Sequence, residues 1–201
     1  LRQNFEGARS LKSSSKKTPL EIIFLSLFPE PLEAFLSHSI LKRAQTKKIL
    51  KTKVIQIRDF AKDKHRTVDD RLYGGGEGML LRADVLFDAW KKAKGKSTSC
   101  LTIFLTPQGR VWNQGQAREL VSRLPSKLIL VCGHYEGVDE RFIEECVDLE
   151  VSVGNFVLTG GELPALIVAD SLVRLMPEVL GNDLSSARDS LERNLLKYPQ
   201  Y

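Results

Sequence analysis

The chain has 201 residues, 42% of them hydrophobic and 27% charged, which is ordinary for a globular protein with one sizeable core or two small ones. No apolar run approaches the ~18 residues that a membrane-spanning helix needs, so we expect no membrane partner. Cys100, Cys132 and Cys146 have the spacing of neither a zinc site nor a disulfide framework. They predict buried reduced thiols and a cytoplasmic location.

The net charge of +5 is concentrated in two segments. Residues 41–66 carry ten Lys or Arg and two Asp, a net charge of +8. A concentrated basic segment attracts polyanions more strongly than the same charge spread evenly. A solvated surface has the same composition, so charge alone leaves both interpretations open. Residues 1–18 are also basic and lack the apolar run of ~7–15 residues of a secretory signal, which predicts a disordered extension.

Short apolar runs alternate with helical patterns along the rest of the chain. Strands are predicted at 22–28, 54–57, 101–105, 128–132 and 147–153, and helices at 83–94, 114–123, 139–146 and 163–176. The runs LTIFL and LILVC are apolar throughout, which is typical of strands buried on both faces. This alternation predicts an α/β fold with a mainly parallel sheet and flanking helices.

Three glycine-containing loops follow predicted strands. They are TPQGR (106–110), GHYEG (133–137) and GNFVLTGGELP (154–164). Ligands of parallel α/β sheets gather beyond the carboxyl ends of the strands, and glycine lets the backbone approach a ligand closely. The turn itself would explain one such loop, but three in succession favour a ligand cleft.

A fourth glycine-rich segment, DDRLYGGGEGM (69–79), follows the basic stretch. It is neither a P-loop nor a dinucleotide fingerprint. A flexible lid and a rigid anion cradle are both compatible with it. His134, in the second loop, is a candidate ligand contact. Arg174, on an otherwise apolar helix, either extends to solvent or reaches into the cleft. Composition gives no reason to assign Asp189 a catalytic role, and its polar surroundings predict a surface residue.

Seven motifs, in the same order, resemble those of the bacterial tRNA (guanine-N1)-methyltransferases of the SPOUT superfamily. They are FLSLFPE (24–30), KHRTVDDRLYGGGEGM (64–79), LTPQGR (105–110), LILVCGHYEGVDER (128–141), VGNFVLTGGELPAL (153–166), RLMPEVLG (174–181) and DSLERNLLKYPQY (189–201). The resemblance implies a methyltransferase domain over 19–180 with a C-terminal trefoil knot. It also implies a linker over 181–201 and a C-terminal domain that is absent.

The resemblance also implies the chemistry: transfer of a methyl group from S-adenosylmethionine to N1 of the guanosine at tRNA position 37, by a homodimer whose active sites span the interface. Asp189 would be the general base and Arg174 would stabilise charge on the guanine O6. Glu136 would lie beside the methionine end of the cofactor. The other cofactor contacts would be Leu105, Thr106, Pro107, Gly133, Val153, Leu158, Gly160, Gly161 and Pro164. Lys64, His65, Arg66 and Arg71 would contact tRNA.

Several positions depart from the family pattern. His134 stands where arginine is common, Asn155 where aspartate is common and Phe156 where tyrosine is common. Two alternatives remain at this point: a knotted methyltransferase that acts on another RNA base, and a non-catalytic RNA-binding module. An acid with an arginine suits a purine N1–H, and three intact cofactor loops favour an enzyme.

Overall fold

The computed structural model describes residues 18–180 and Pro199. The predicted extension and the predicted linker therefore lie outside the described residues, apart from Thr18 and Pro199. The strands are β1 (Leu20–Ser26), β2 (Leu50–Gln56), β3 (Asp69–Arg71), β4 (Met79–Leu81), β5 (Cys100–Val111), β6 (Lys127–Cys132) and β7 (Leu149–Ser152). The helices are α1 (Pro29–Leu36), α2 (Ser39–Thr46), α3 (Ala83–Lys94), α4 (Gln114–Ser122), α5 (Glu140–Cys146) and α6 (Glu162–Val173), with a 3₁₀ helix at Ile57–Phe60.

Five of the strands form one parallel sheet in the order β2-β1-β6-β5-β7. Its two faces are both buried. Ile22 and Phe24 of β1 point into a cluster that includes side chains of α1, α2, α4 and α6. Ile23 and Leu25 point to the opposite face, into a cluster with α3 and α5. This two-sided burial explains the continuous apolar runs, because no face of the central strands meets water.

The predicted α/β class and parallel sheet are confirmed. Helix α3 has the predicted bounds, and α4, α5, α6, β1, β6 and β7 differ from the predictions by up to three residues at an end. The trefoil knot stays a prediction.

Two local predictions were wrong or incomplete. The segment 106–110 was predicted as a loop, but β5 continues through it to Val111, with a register shift against β7 between Leu105 and Arg110. The register shift accommodates Pro107 within the strand, because proline has no N–H to donate to a neighbouring strand. Ile57 was predicted in a strand and lies in the 3₁₀ helix.

Helices α1 and α2 and the β3–β4 hairpin were not predicted. Pro29 directly follows the predicted strand at 22–28. It is also the first residue of α1, where a missing N–H costs nothing because that group has no intrahelical partner. Strands β3 and β4 have three residues each, too few for an alternating pattern.

Phe24 provides a test of the core. It is fully buried in β1, whereas Phe35 of α1 is 50% exposed. We expect Phe24→Ala to lower the free energy of unfolding by about 3–5 kcal/mol, because the substitution leaves a cavity. Phe35→Ala should lower it by less than about 1 kcal/mol. Urea unfolding followed by circular dichroism measures both, and equal losses would contradict the assigned core.

Candidate functional site

A cleft of about 470 Å³ lies at the carboxyl edge of the sheet, lined by the second half of β5 and by the loops that follow β6 and β7. These three strands are neighbours in the sheet, so the part of β5 around Pro107 and the loops after β6 and β7 meet at one edge. All ten residues that the sequence predicted as cofactor contacts line the cleft: Leu105, Thr106, Pro107, Gly133, Glu136, Val153, Leu158, Gly160, Gly161 and Pro164. The structure thus brings the set together, and its role in binding stays a prediction.

Two glycines let backbone segments touch at the cleft. The Gly161 N–H donates to the Gly133 carbonyl oxygen at 2.9 Å, and a Cβ on Gly161 would lie 2.6 Å from Cys132 Cα. A Cβ on Gly109 would lie 2.4 Å from the backbone nitrogen of Val151. Any side chain at either position would force backbone apart. These contacts hold the three segments against each other and fix the shape of the cleft.

A polar cluster lies behind the cleft wall. The Ser26 hydroxyl donates to Glu162 Oε1 at 2.5 Å, and His134 Nε2 lies 2.8 Å from Glu162 Oε2. Ser26 and Glu162 are buried, whereas His134 lines the cleft. The Phe28 ring contacts the His134 ring, with 4.9 Å between centroids. Sequence reasoning identified His134 as a ligand candidate but found neither Ser26 nor Glu162.

The glycine-rich hairpin is attached to the cleft through β4. The Glu136 N–H donates to the Met79 carbonyl oxygen at 3.0 Å, and the Leu81 N–H donates to the Gly137 carbonyl oxygen at 3.0 Å. Gly78 has a φ of +98°, and a Cβ there would meet the Glu136 side chain at 2.3 Å. One end of the hairpin is therefore fixed to the second cleft loop, close to Glu136.

The predicted RNA contacts are all exposed, but they lie in two places. Arg71 lines a second cavity of about 520 Å³, which shares Leu80 with the cleft. Lys64, His65 and Arg66 line neither cavity.

Of the two predicted catalytic residues, the structure describes only Arg174, and it lies away from the cleft lining. Arg174 is the C-cap of α6, is half-buried, and does not line the cleft. Burial raises the pKa of the Asp170 carboxyl one turn earlier, and the charge of Arg174 partly opposes that shift. Asp189 lies outside the described residues.

An apolar surface adjoins the cleft. On the third loop Phe156, Val157 and Leu158 are exposed, and on α6 Leu163 and Ile167 are exposed. We call these five residues the apolar rim. Exposed apolar patches of this kind mark sites of association.

Within residues 18–180, no helix is long and apolar enough to cross a membrane. The same part of the chain holds no group of three or more His, Cys, Asp or Glu side chains that could bind a metal ion.

These features define an α/β protein with a cleft at the carboxyl edge of a parallel sheet. A family model described as tRNA (Guanine-1)-methyltransferase TrmD matches residues 20–201, and the chain belongs to this family. The family predicted from the motifs is thereby confirmed.

Known proteins support the same conclusion. A tRNA (guanine-N(1)-)-methyltransferase of Bacillus pumilus is 48% identical over 183 residues, which are 90% of this chain and 74% of that protein. One of Dehalococcoides mccartyi is 48% identical over 183 residues, 90% of this chain and 73% of that protein. The crystal structure of tRNA (m1G37) methyltransferase from Aquifex aeolicus superposes with a TM-score of 0.74 at 34% identity, covering 82% of this chain and 73% of that one.

The cysteines provide a test of burial at the site. Burial raises the pKa of the Cys132 thiol well above its ordinary value, with a further contribution from the charge of Glu162. Burial also raises the pKa of Cys100 and of Cys146 to about 11. Only the thiolate is nucleophilic, and at pH 8 a thiol of pKa 11 is about 0.1% ionised, against roughly a quarter at pKa 8.5.

We therefore expect iodoacetamide at about pH 8 to alkylate all three thiols at least ~100-fold more slowly in the native chain than in urea. Peptide mapping by mass spectrometry measures each rate. Rapid native alkylation of Cys132 would contradict its burial beneath the cleft.

Proposed function

We propose that this chain transfers the methyl group of S-adenosylmethionine to N1 of the guanosine at position 37 of tRNA. Family membership supports a methyltransferase that uses a methyl donor and acts on tRNA. The observation that carries the finer proposal is the cleft, because all ten predicted cofactor contacts line one cavity.

The cleft suits the proposed cofactor in size and chemistry. Small-molecule sites measure about 300–1,000 Å³ and combine apolar walls with a few polar groups. Here Leu105, Val153 and Pro164 provide apolar wall, and backbone of the glycine loops provides donors and acceptors for an adenine and a ribose. Glu136 is exposed at the cleft and can face the amino group of the methionine end. S-adenosylmethionine would supply a methyl group bonded to a positively charged sulfur, and the S–CH3 bond would break as a neutral thioether leaves.

Two side chains have roles in the proposed reaction, one as a base and one in stabilising charge. Neutral guanine N1 is a poor nucleophile, so Asp189 takes its proton as the methyl group is transferred. Arg174 stabilises the negative charge that develops on the guanine O6. No covalent enzyme intermediate is required.

The proposed homodimer joins these residues to the cleft. Arg174 does not line the cleft of its own chain, so in this proposal it acts in the site of the partner. The apolar rim supports a homodimer, because it adjoins the cleft and a partner chain would remove its exposed side chains from water. The same proposal includes a trefoil knot formed by the cleft segments. It also includes a cytoplasmic location, where tRNA is found. Lys64, His65, Arg66 and Arg71 would contact the tRNA backbone, with an affinity that falls with salt.

Calorimetric titration with S-adenosylmethionine tests the cofactor site. A Cβ on Gly160 would already lie 2.3 Å from His134 Cε1, so Gly160→Trp must displace the cleft wall. We expect saturable binding to the unmodified chain and no saturable heat with Gly160→Trp. The matched control is Thr98→Trp, at an exposed position before β5 on the opposite edge of the sheet. Equal binding by all three chains would contradict the cleft assignment.

The reaction is tested with tRNA transcripts that carry or lack guanosine at position 37. We expect N1-methylguanosine in the nuclease digest of the first transcript only, measured by mass spectrometry. Asp189→Asn should lower kcat about 10²–10⁴-fold and leave the Kd for S-adenosylmethionine unchanged, because it removes only the base. Methylation of another base would favour the knotted enzyme of different specificity. Tight tRNA binding without methyl transfer would favour the RNA-binding module.

A further inference from the structure

Ser26, Glu162 and His134 form a continuous hydrogen-bonded chain from the core to the cleft. Ser26 ends β1 and is fully buried. Its hydroxyl oxygen accepts from the Phe28 N–H at 2.8 Å, so its proton is available for Glu162 Oε1 at 2.5 Å. The second carboxylate oxygen lies 2.8 Å from His134 Nε2. Both oxygens of one buried carboxylate therefore have a partner.

The direction of each bond follows from the groups involved. A carboxylate only accepts, so an ionised Glu162 requires a proton on His134 Nε2. A neutral imidazole has a single N–H, which leaves Nδ1 as an acceptor. Glu162 is also the first residue of α6, where a negative charge is stabilised by the helix dipole. The carboxylate is thus held by its helix and by Ser26, and it fixes the tautomer of His134.

This chain contacts the glycine turn of the cleft. A Cβ on Gly160 would lie 2.3 Å from His134 Cε1, 2.4 Å from His134 Nε2 and 2.6 Å from Glu162 Oε2. Gly160 therefore packs directly on the His134–Glu162 pair. The following residue, Gly161, donates its N–H to the Gly133 carbonyl oxygen. The turn is held from one side by backbone and from the other by this side-chain pair.

We propose that Ser26, Glu162 and His134 form a positioning network that fixes the Nε2–H tautomer of His134 and holds the Gly160–Gly161 turn in its cofactor-binding shape. The inference rests on the proposed function, in which that turn contacts S-adenosylmethionine. None of the three side chains takes part in methyl transfer. Their effect is on the affinity for the cofactor.

The tautomer is measured without any ligand. At about pH 8, above the ordinary histidine pKa of about 6.5, ring ¹⁵N shifts distinguish a protonated from an unprotonated nitrogen. We expect His134 to be protonated on Nε2. His38 provides an internal contrast, because its Nδ1 lies 2.7 Å from the Ala34 carbonyl oxygen and we expect the proton on that nitrogen. An Nδ1–H tautomer at His134 would overturn the network.

Matched substitutions test the effect on affinity. Glutamine can place an amide nitrogen near the position of His Nε2, whereas asparagine reaches only the position of Nδ1. We expect His134→Asn to raise the Kd for S-adenosylmethionine about tenfold and His134→Gln to restore most of the affinity. Glu162→Gln should also raise the Kd about tenfold, because two donors then compete for one oxygen. Ser26→Ala should have a smaller effect in the same direction.

Two controls remove similar groups away from the cleft. Ser171→Ala deletes a hydroxyl on α6 that accepts a hydrogen bond from Trp112 Nε1 at 2.8 Å. Glu119→Gln neutralises an exposed carboxylate that pairs with Arg123. Neither should change the Kd. Thermal unfolding identifies any variant that fails to fold, and the His134→Asn and His134→Gln pair then decides the question. Unmodified protein that binds no S-adenosylmethionine would refute the proposed function itself. Binding that none of the network substitutions alters would refute only this inference.

Discussion

The close packing of backbone at the carboxyl edge of β5, β6 and β7 is the constraint on which the rest of the site depends. Gly161 lies against the end of β6, and Gly109 lies against β7. Neither contact tolerates a Cβ, so both positions are fixed as glycine by geometry. Three chain segments meet there without intervening side chains, so backbone of the glycine loops forms part of the cleft wall. Such a wall can recognise a ligand through N–H and C=O groups whose positions the sheet itself determines.

The sheet supplies the rigidity that such a wall needs. Its central strands are covered on both faces, and the two clusters include β1, β5 and β6 with helices from either side. A cleft at the end of these strands has rigid walls, because each loop begins at a residue that the sheet already holds in place. The β3–β4 hairpin is different. Only its β4 end is hydrogen-bonded to the second loop, while Gly74, Gly75 and Gly76 are exposed and have positive φ.

Periodicity predicted the sheet and four helices, and the family motifs predicted ten of the residues that line the cleft. The buried strands were found because apolar runs such as LTIFL need two covered faces, and α3 was found because its apolar residues recur at helical spacing. The continuation of β5 through Pro107 was missed because proline and glycine predict a break, and a register shift accommodated both. Nothing local to Ser26 or Glu162 signals their contact, since the two residues are 136 positions apart. Long-range polar pairs follow from topology, which pattern reading does not supply.

The polar network and part of the apolar rim lie on different faces of one helix, α6. The first turn of α6 carries Glu162 toward the core, where its carboxylate meets Ser26 and His134. The outer face of the same helix exposes Leu163 and Ile167. A helix with apolar residues on every side is normally buried on every side. That exposure is the physical argument for a partner on α6, and the same partner would cover the mouth of the cleft. Cofactor affinity and assembly would then be coupled through α6, because a shift of its first turn disturbs Gly160 and a shift of its outer face disturbs the proposed interface.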